Sequence, residues 1–123
     1  MTVAKLIAMC DESKPNQYDT EQKAQWLSEV EAMVVDEILN KAEGNEIEFE
    51  KYDYDTDAER ELLVPDSYCD LYLHFLMSKI DFFNAEYARY NNSVTMFNSS
   101  YERFAGYYRR NHMPKQNNML PKI

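Results

Sequence analysis

The chain has 123 residues with 45% hydrophobic and 28% charged side chains, enough apolar material for one core and too little length for two. Two glycines and four prolines leave few positions for left-handed backbone or close approach to a phosphate, which excludes Rossmann folds, P-loops and β-sandwiches. A net charge of -9 disfavours free attraction to nucleic acid or anionic lipid, and 10 Tyr with 6 Phe suit half-buried interfaces.

Thr2 has the position of an N-cap for a short helix whose Val3, Leu6, Ile7 and Cys10 share one face, and Ser13-Lys14-Pro15-Asn16 ends it. A second helix opens at Asp19 or Thr20, where Asp19 and Gln22 have capping-box spacing. It continues through Trp26, Leu27, Val30, Val34 and Ile38, with Lys41 in the last turn and Gly44 as the residue after it. Residues 45–65 form an acidic excursion. Ile47 and Phe49 alternate with Glu46, Glu48 and Glu50, then Tyr52 and Tyr54 alternate with Asp53 and Asp55, a pattern of a short strand or extended loop. Thr56 and Glu59 have capping-box spacing for a brief helix before Pro65, and Ser67 with Asp70 repeats that spacing at the start of the main helix.

From Cys69 to Tyr108, twelve apolar or aromatic residues recur in alternating steps of four and three. Phe83, Tyr87, Tyr90, Phe97 and Tyr101 are expected to pack there against the second helix or a neighbouring subunit. The unbroken phase predicts one long helix, or two nearly collinear ones kinked at Asn91-Asn92-Ser93, spanning roughly 60 Å. The expected organisation is an all-α helical domain over residues 1–110, with the acidic excursion inside it, and an extended basic tail over 111–123. Residues 1–65 hold 17 acids and 6 bases, residues 66–123 hold 5 and 7, and no acid follows Glu102. The basic end carries Arg109, Arg110, His112 and Lys115, with Met113, Pro114, Leu120 and Ile123 as apolar or rigid positions.

No motif for chemistry emerges. Asp53, Asp55 and Asp57 match the start of a calcium loop, but Ala58 stands where the turn glycine belongs and Val64 where the bidentate Glu belongs. Asp70 and His74 form an ordinary helix pair without a nucleophile, and Cys10 and Cys69 fit small buried apolar residues in a reducing, cytosolic setting. The reading is of a protein that is not an enzyme, with no metal, no cofactor, no secretory signal and no membrane span.

Leu62-Leu63-Val64-Pro65-Asp66-Ser67-Tyr68, Leu71-Tyr72-Leu73 and Asp81-Phe82-Phe83-Asn84-Ala85-Glu86-Tyr87-Ala88-Arg89-Tyr90-Asn91-Asn92 resemble head-tail connector (adaptor) proteins of tailed phages and prophages of Gram-positive hosts. The resemblance implies a structural virion protein at the head-tail interface, assembled in the host cytoplasm. It implies a homo-oligomeric, dodecameric ring beneath the portal protein that extends the DNA channel and docks the next connector or tail protein. DNA would pass without specific binding. Within that picture Arg109, Arg110, His112, Met113, Pro114, Leu120 and Ile123 dock on the portal. Glu46, Glu48, Glu50, Tyr52, Asp53, Tyr54 and Asp55 face the lumen or the downstream partner. Two other classes fit the charge and the seam: an acidic helical DNA mimic that inhibits a nucleic-acid enzyme, and a plain coiled-coil interaction module.

Overall fold

The computed structural model describes residues 1–116. Thr2 accepts the Lys5 N–H on its hydroxyl at 3.1 Å and opens α1 (Val3–Ser13), whose Val3, Leu6, Ile7 and Cys10 are all buried. Asp19 accepts the Gln22 N–H at 2.8 Å and opens α2 (Thr20–Glu37). A 3-10 turn (Leu39–Lys41) follows, and Gly44 reverses the chain at φ +88. The excursion is extended over 45–53 and carries no strand ladder. Its single helical turn, α3 (Tyr54–Asp57), is capped three residues earlier than expected: Asp53 accepts the Asp55 N–H, and Asp57 accepts the Asp53 N–H. Ser67 likewise caps nothing. It lies in a 3-10 turn (Asp66–Tyr68) that leads directly into α4 (Asp70–Phe83).

The excursion completes the start of α1. Val3 and Ala4, whose N–H groups have no partner within their own helix, donate to the Arg60 and Ala58 carbonyls at 3.0 and 2.8 Å. An isolated antiparallel bridge joins Thr2 to Glu61 beside them.

The expected continuous helix over Cys69–Tyr108 is instead a helical hairpin. Helix α4 stops at Phe83, and α5 (Tyr87–Asn111) runs back along it. The turn is a Schellman motif: the Ala85 N–H donates to Phe82 O at 3.0 Å and the Glu86 N–H to Asp81 O at 2.9 Å, with Ala85 at φ 58. Three non-helical residues, 84–86, fit inside one four-residue step from Phe83 to Tyr87, so the break leaves the heptad count intact. Side chains confirm the antiparallel register, with Asp81 against Ser93, Phe75 against Phe97, and Asp70 against Arg103. Asn91, Asn92 and Ser93 stay helical.

Buried Leu71, Tyr72, Leu76 and Ile80 of α4 meet Leu27, Val30 and Val34 of α2, the α1 face, and Phe97, Tyr101, Phe104 and Ala105 of α5 in one core. Past Asn111 the chain folds back on the end of α2: the Glu43 N–H donates to Met113 O at 2.7 Å and the Lys115 N–H to Lys41 O at 2.9 Å. The described part of the tail thus begins at His112 and is pinned to its own subunit, while Leu120 and Ile123 lie outside the described residues.

Ala85 pays the steric cost of a left-handed residue that glycine avoids. Ala85→Gly is therefore expected to stabilise the fold by about 0.5–1 kcal/mol, less than the full steric term because glycine also frees the unfolded chain. Urea unfolding checks this: a raised midpoint at unchanged slope is expected, and a lowered midpoint refutes the turn geometry.

Candidate functional site

Helix α2 points one carboxylate inward. Glu31 falls in phase with Leu27, Val30 and Val34 and is fully buried. Its Oε2 accepts the Tyr52 hydroxyl at 2.6 Å and the Leu63 N–H at 3.0 Å, and its Oε1 accepts the Tyr72 hydroxyl at 2.6 Å. The Tyr72 oxygen in turn accepts the Val64 N–H at 3.0 Å. Among the described residues no cation hydrogen-bonds to Glu31. The Arg60 guanidinium lies over the Tyr52 ring at 4.8 Å instead. Burial raises Glu31 above the usual carboxylate range, while the two tyrosine hydroxyls and the Leu63 N–H pull the other way. Burial and the facing carboxylate push both tyrosines far up, so they remain donors. The cluster is buried and ties the excursion to α2 and α4. Tyr52, expected on a lumen or partner face, is accordingly a core residue. The missed signal was a glutamate on the apolar face of an amphipathic helix.

A second polar cluster ties the α1–α2 loop to the hairpin turn. The Lys14 ammonium meets buried Asp81 at 2.7 Å, Ser93 donates to the other oxygen of that carboxylate at 2.7 Å, and the Tyr18 hydroxyl donates to Asn84 at 2.7 Å. Buried Lys23 binds Asp11 and Asn16 beside it. Asp70, paired in expectation with His74, instead takes Arg103 at 2.9 Å.

Above this cluster lies an aromatic end. Phe83 stacks on Trp26 at 5.7 Å, yet Phe82, Phe83 and Tyr87 are 48%, 56% and 61% exposed. Of the five rings expected to pack against the second helix or a neighbouring subunit, Phe97 and Tyr101 are buried, Tyr90 is half-buried, Phe83 lies on Trp26 of α2 while remaining exposed, and Tyr87 is exposed where the chain turns at Asn84–Glu86. Tyr101 donates to Glu37 at 2.6 Å and so joins α5 to α2. Between α4 and α5 runs a groove of about 340 Å³ lined by Phe75, Phe82, Phe83, Tyr90, Val94 and Phe97.

The opposite end is cationic. Lys41, Arg109 and His112 rim a pocket of about 220 Å³ floored by Ile38, Tyr108 and Pro114. His112 stacks on Tyr108, and Arg110 and Met113 are exposed beside it. Glu46, Glu48, Glu50, Asp53 and Asp55 are exposed along the excursion and Tyr54 is half-buried. Among the described residues no three His, Cys, Asp or Glu side chains cluster as a metal site, and no helix is long and apolar enough to cross a membrane. Cys10 and Cys69 are free and buried, and burial pushes both thiols up to about 11. Comparison with known proteins returns no match to a family model, a curated protein or a solved structure.

Because folding raises the Glu31 pKa, the folded state holds that proton to higher pH than the unfolded chain. Its contribution to stability is fully present below the ordinary value of 4.5 and is lost as pH rises through the folded value. Urea unfolding of the wild type and Glu31→Gln across pH 4–8 reads this difference. Stability of the wild type relative to the variant is expected to fall with rising pH, and a relative rise contradicts the burial-dominated shift.

Proposed function

We propose that the chain is a structural virion protein, a head-tail connector of a tailed phage, with an architectural rather than catalytic role. Copies form a ring beneath the portal, extend the DNA channel and offer a platform to the next tail component. The observation that most supports this reading is where the resembling segment falls. Asp81–Asn92 is the end of α4, the Schellman turn and the opening of α5, the part of the molecule that leaves phenylalanine and tyrosine rings in solvent. Rings at 48–61% exposure leave about 250–400 Å² of aromatic surface uncovered, the size of an interaction patch.

Charge distribution supports the same reading. The excursion exposes Glu46, Glu48, Glu50, Asp53 and Asp55, and carboxylates lining a channel repel phosphates and let a duplex slide. The cationic end, with Arg109, Arg110 and His112, suits carboxylates on an adjoining component such as the portal.

Native mass measurement and electron microscopy test the proposal, on the chain alone and with the portal protein of the phage genome that encodes it. A closed ring that joins the portal is expected. A chain that ignores the portal and instead inhibits a nucleic-acid enzyme would favour the DNA-mimic reading.

A further inference from the structure

We propose that residues 46–64 are a proton-gated strap: with Glu31 neutral the strap lies closed on the bundle, and ionisation of Glu31 lets it lift between its two ends while the helices stay folded. The proposal goes beyond the connector reading and holds whatever the outer face of the strap meets.

The strap has little fold of its own. It has no ladder and one helical turn, and of its side chains only Tyr52, Leu62 and Val64 are buried. Both buried stretches converge on one carboxyl. The Tyr52 hydroxyl and the Leu63 N–H donate to Glu31, and the Val64 N–H donates to the Tyr72 oxygen, whose own hydroxyl donates to Glu31. Elsewhere Ile47 pairs with Asn40, the Tyr52 N–H with Ser28, and Ala58, Arg60, Glu61 and Leu62 with residues 1–4. The ends are fixed independently of Glu31. Asn45 donates to Leu39 O and to the Tyr108 hydroxyl, and Pro65 O accepts the Tyr68 N–H in the turn that leads into α4.

Ionisation changes what the carboxyl requires. The strap brings Tyr52 and Arg60 toward it, with Asp57 beside them, and α4 brings Tyr72, with the Cys69 thiol just ahead of that helix. Helix α1 contributes the Cys10 thiol to the shared core, and α5 sends Tyr101 to Glu37 instead. The one cation of this set, Arg60, lies over the Tyr52 ring and pairs with Asp57 at 3.5 Å. Lifting the strap removes two donors and admits water, an exchange that favours a carboxylate far more than a neutral acid. Solvent has a way in: a pocket of about 340 Å³ rimmed by Glu21, Lys51 and Asp53 reaches Ser28 and Tyr52. Burial raises Glu31 above the usual carboxylate range, so the closed state holds the proton more tightly than the open one and opening becomes easier as pH rises. Because Val3 and Ala4 donate to the strap, the first turn of α1 opens with it.

Amide hydrogen exchange over pH 4–8, read as protection relative to the unstructured rate at each pH, tests this in wild type, Glu31→Gln and Asp57→Asn. In wild type, protection at Val3, Ala4, Tyr52, Leu63 and Val64 is expected to fall together by about fivefold or more as pH rises, while the α4–α5 hairpin keeps its protection. Glu31→Gln keeps the shape without the titrating proton and is expected to make those five amides insensitive to pH. Asp57→Asn removes the other carboxylate near Tyr52 and is expected to leave the wild-type response in place. Wild-type protection that holds or rises with pH, an equal fall in the hairpin, or a response that survives Glu31→Gln or vanishes in Asp57→Asn overturns the proposal. The hairpin amides report whether Glu31→Gln folds, and if it does not, the wild-type and Asp57→Asn series decide.

Discussion

A carboxylate buried with no hydrogen-bonded cation among the described residues is the constraint on which this structure depends. Glu31 loses its hydration on folding, a loss tolerable only if donors replace the water. Three donors do so from two directions: Tyr52 and Leu63 on the excursion, and Tyr72 on α4. The acid therefore requires the excursion to lie against the bundle. Once it lies there, its carbonyls complete the first turn of α1 and its Tyr52 N–H reaches Ser28 at 2.8 Å. A run of chain dense in acids, which would otherwise be a solvated loop, becomes a strap across three helices with its carboxylates turned outward.

The polar groups of the interior and those of the surface differ in how they are satisfied. Inside, the ionisable groups are occupied: Glu31 by tyrosines, Asp81 by Lys14 and Ser93, Lys23 by Asp11. Outside, rings crowd one end, and at the other lie Lys41, Arg109, Arg110 and Lys115, which make no ion pair among the described residues. The architectural role proposed above rests on the features of those two ends.

Much of the fold was legible from side-chain pattern. The faces of α1 and α2 and the caps Thr2 and Asp19 follow from residues within one turn of each other. The hairpin did not, because its turn uses Ala85 where a glycine would have marked it, and because three linking residues fit one seam step without disturbing the phase. The same turn leaves Tyr87 exposed, while Phe83 keeps the contact with the second helix expected of it by stacking on Trp26. The role of Tyr52 was hidden for a different reason: alternation in the excursion shows which side chains point the same way, whereas the buried acid that decides which side faces in lies 21 residues away on α2.

Amide hydrogen exchange in Tyr52→Phe tests the central claim most directly, since it removes one hydroxyl and leaves the ring. If the Glu31 cluster holds the strap, protection should fall selectively at the docked amides of Ile47, Tyr52 and Leu63 while the α4–α5 hairpin keeps wild-type protection. Unchanged protection at those three amides, or an equal loss throughout both regions, would contradict it.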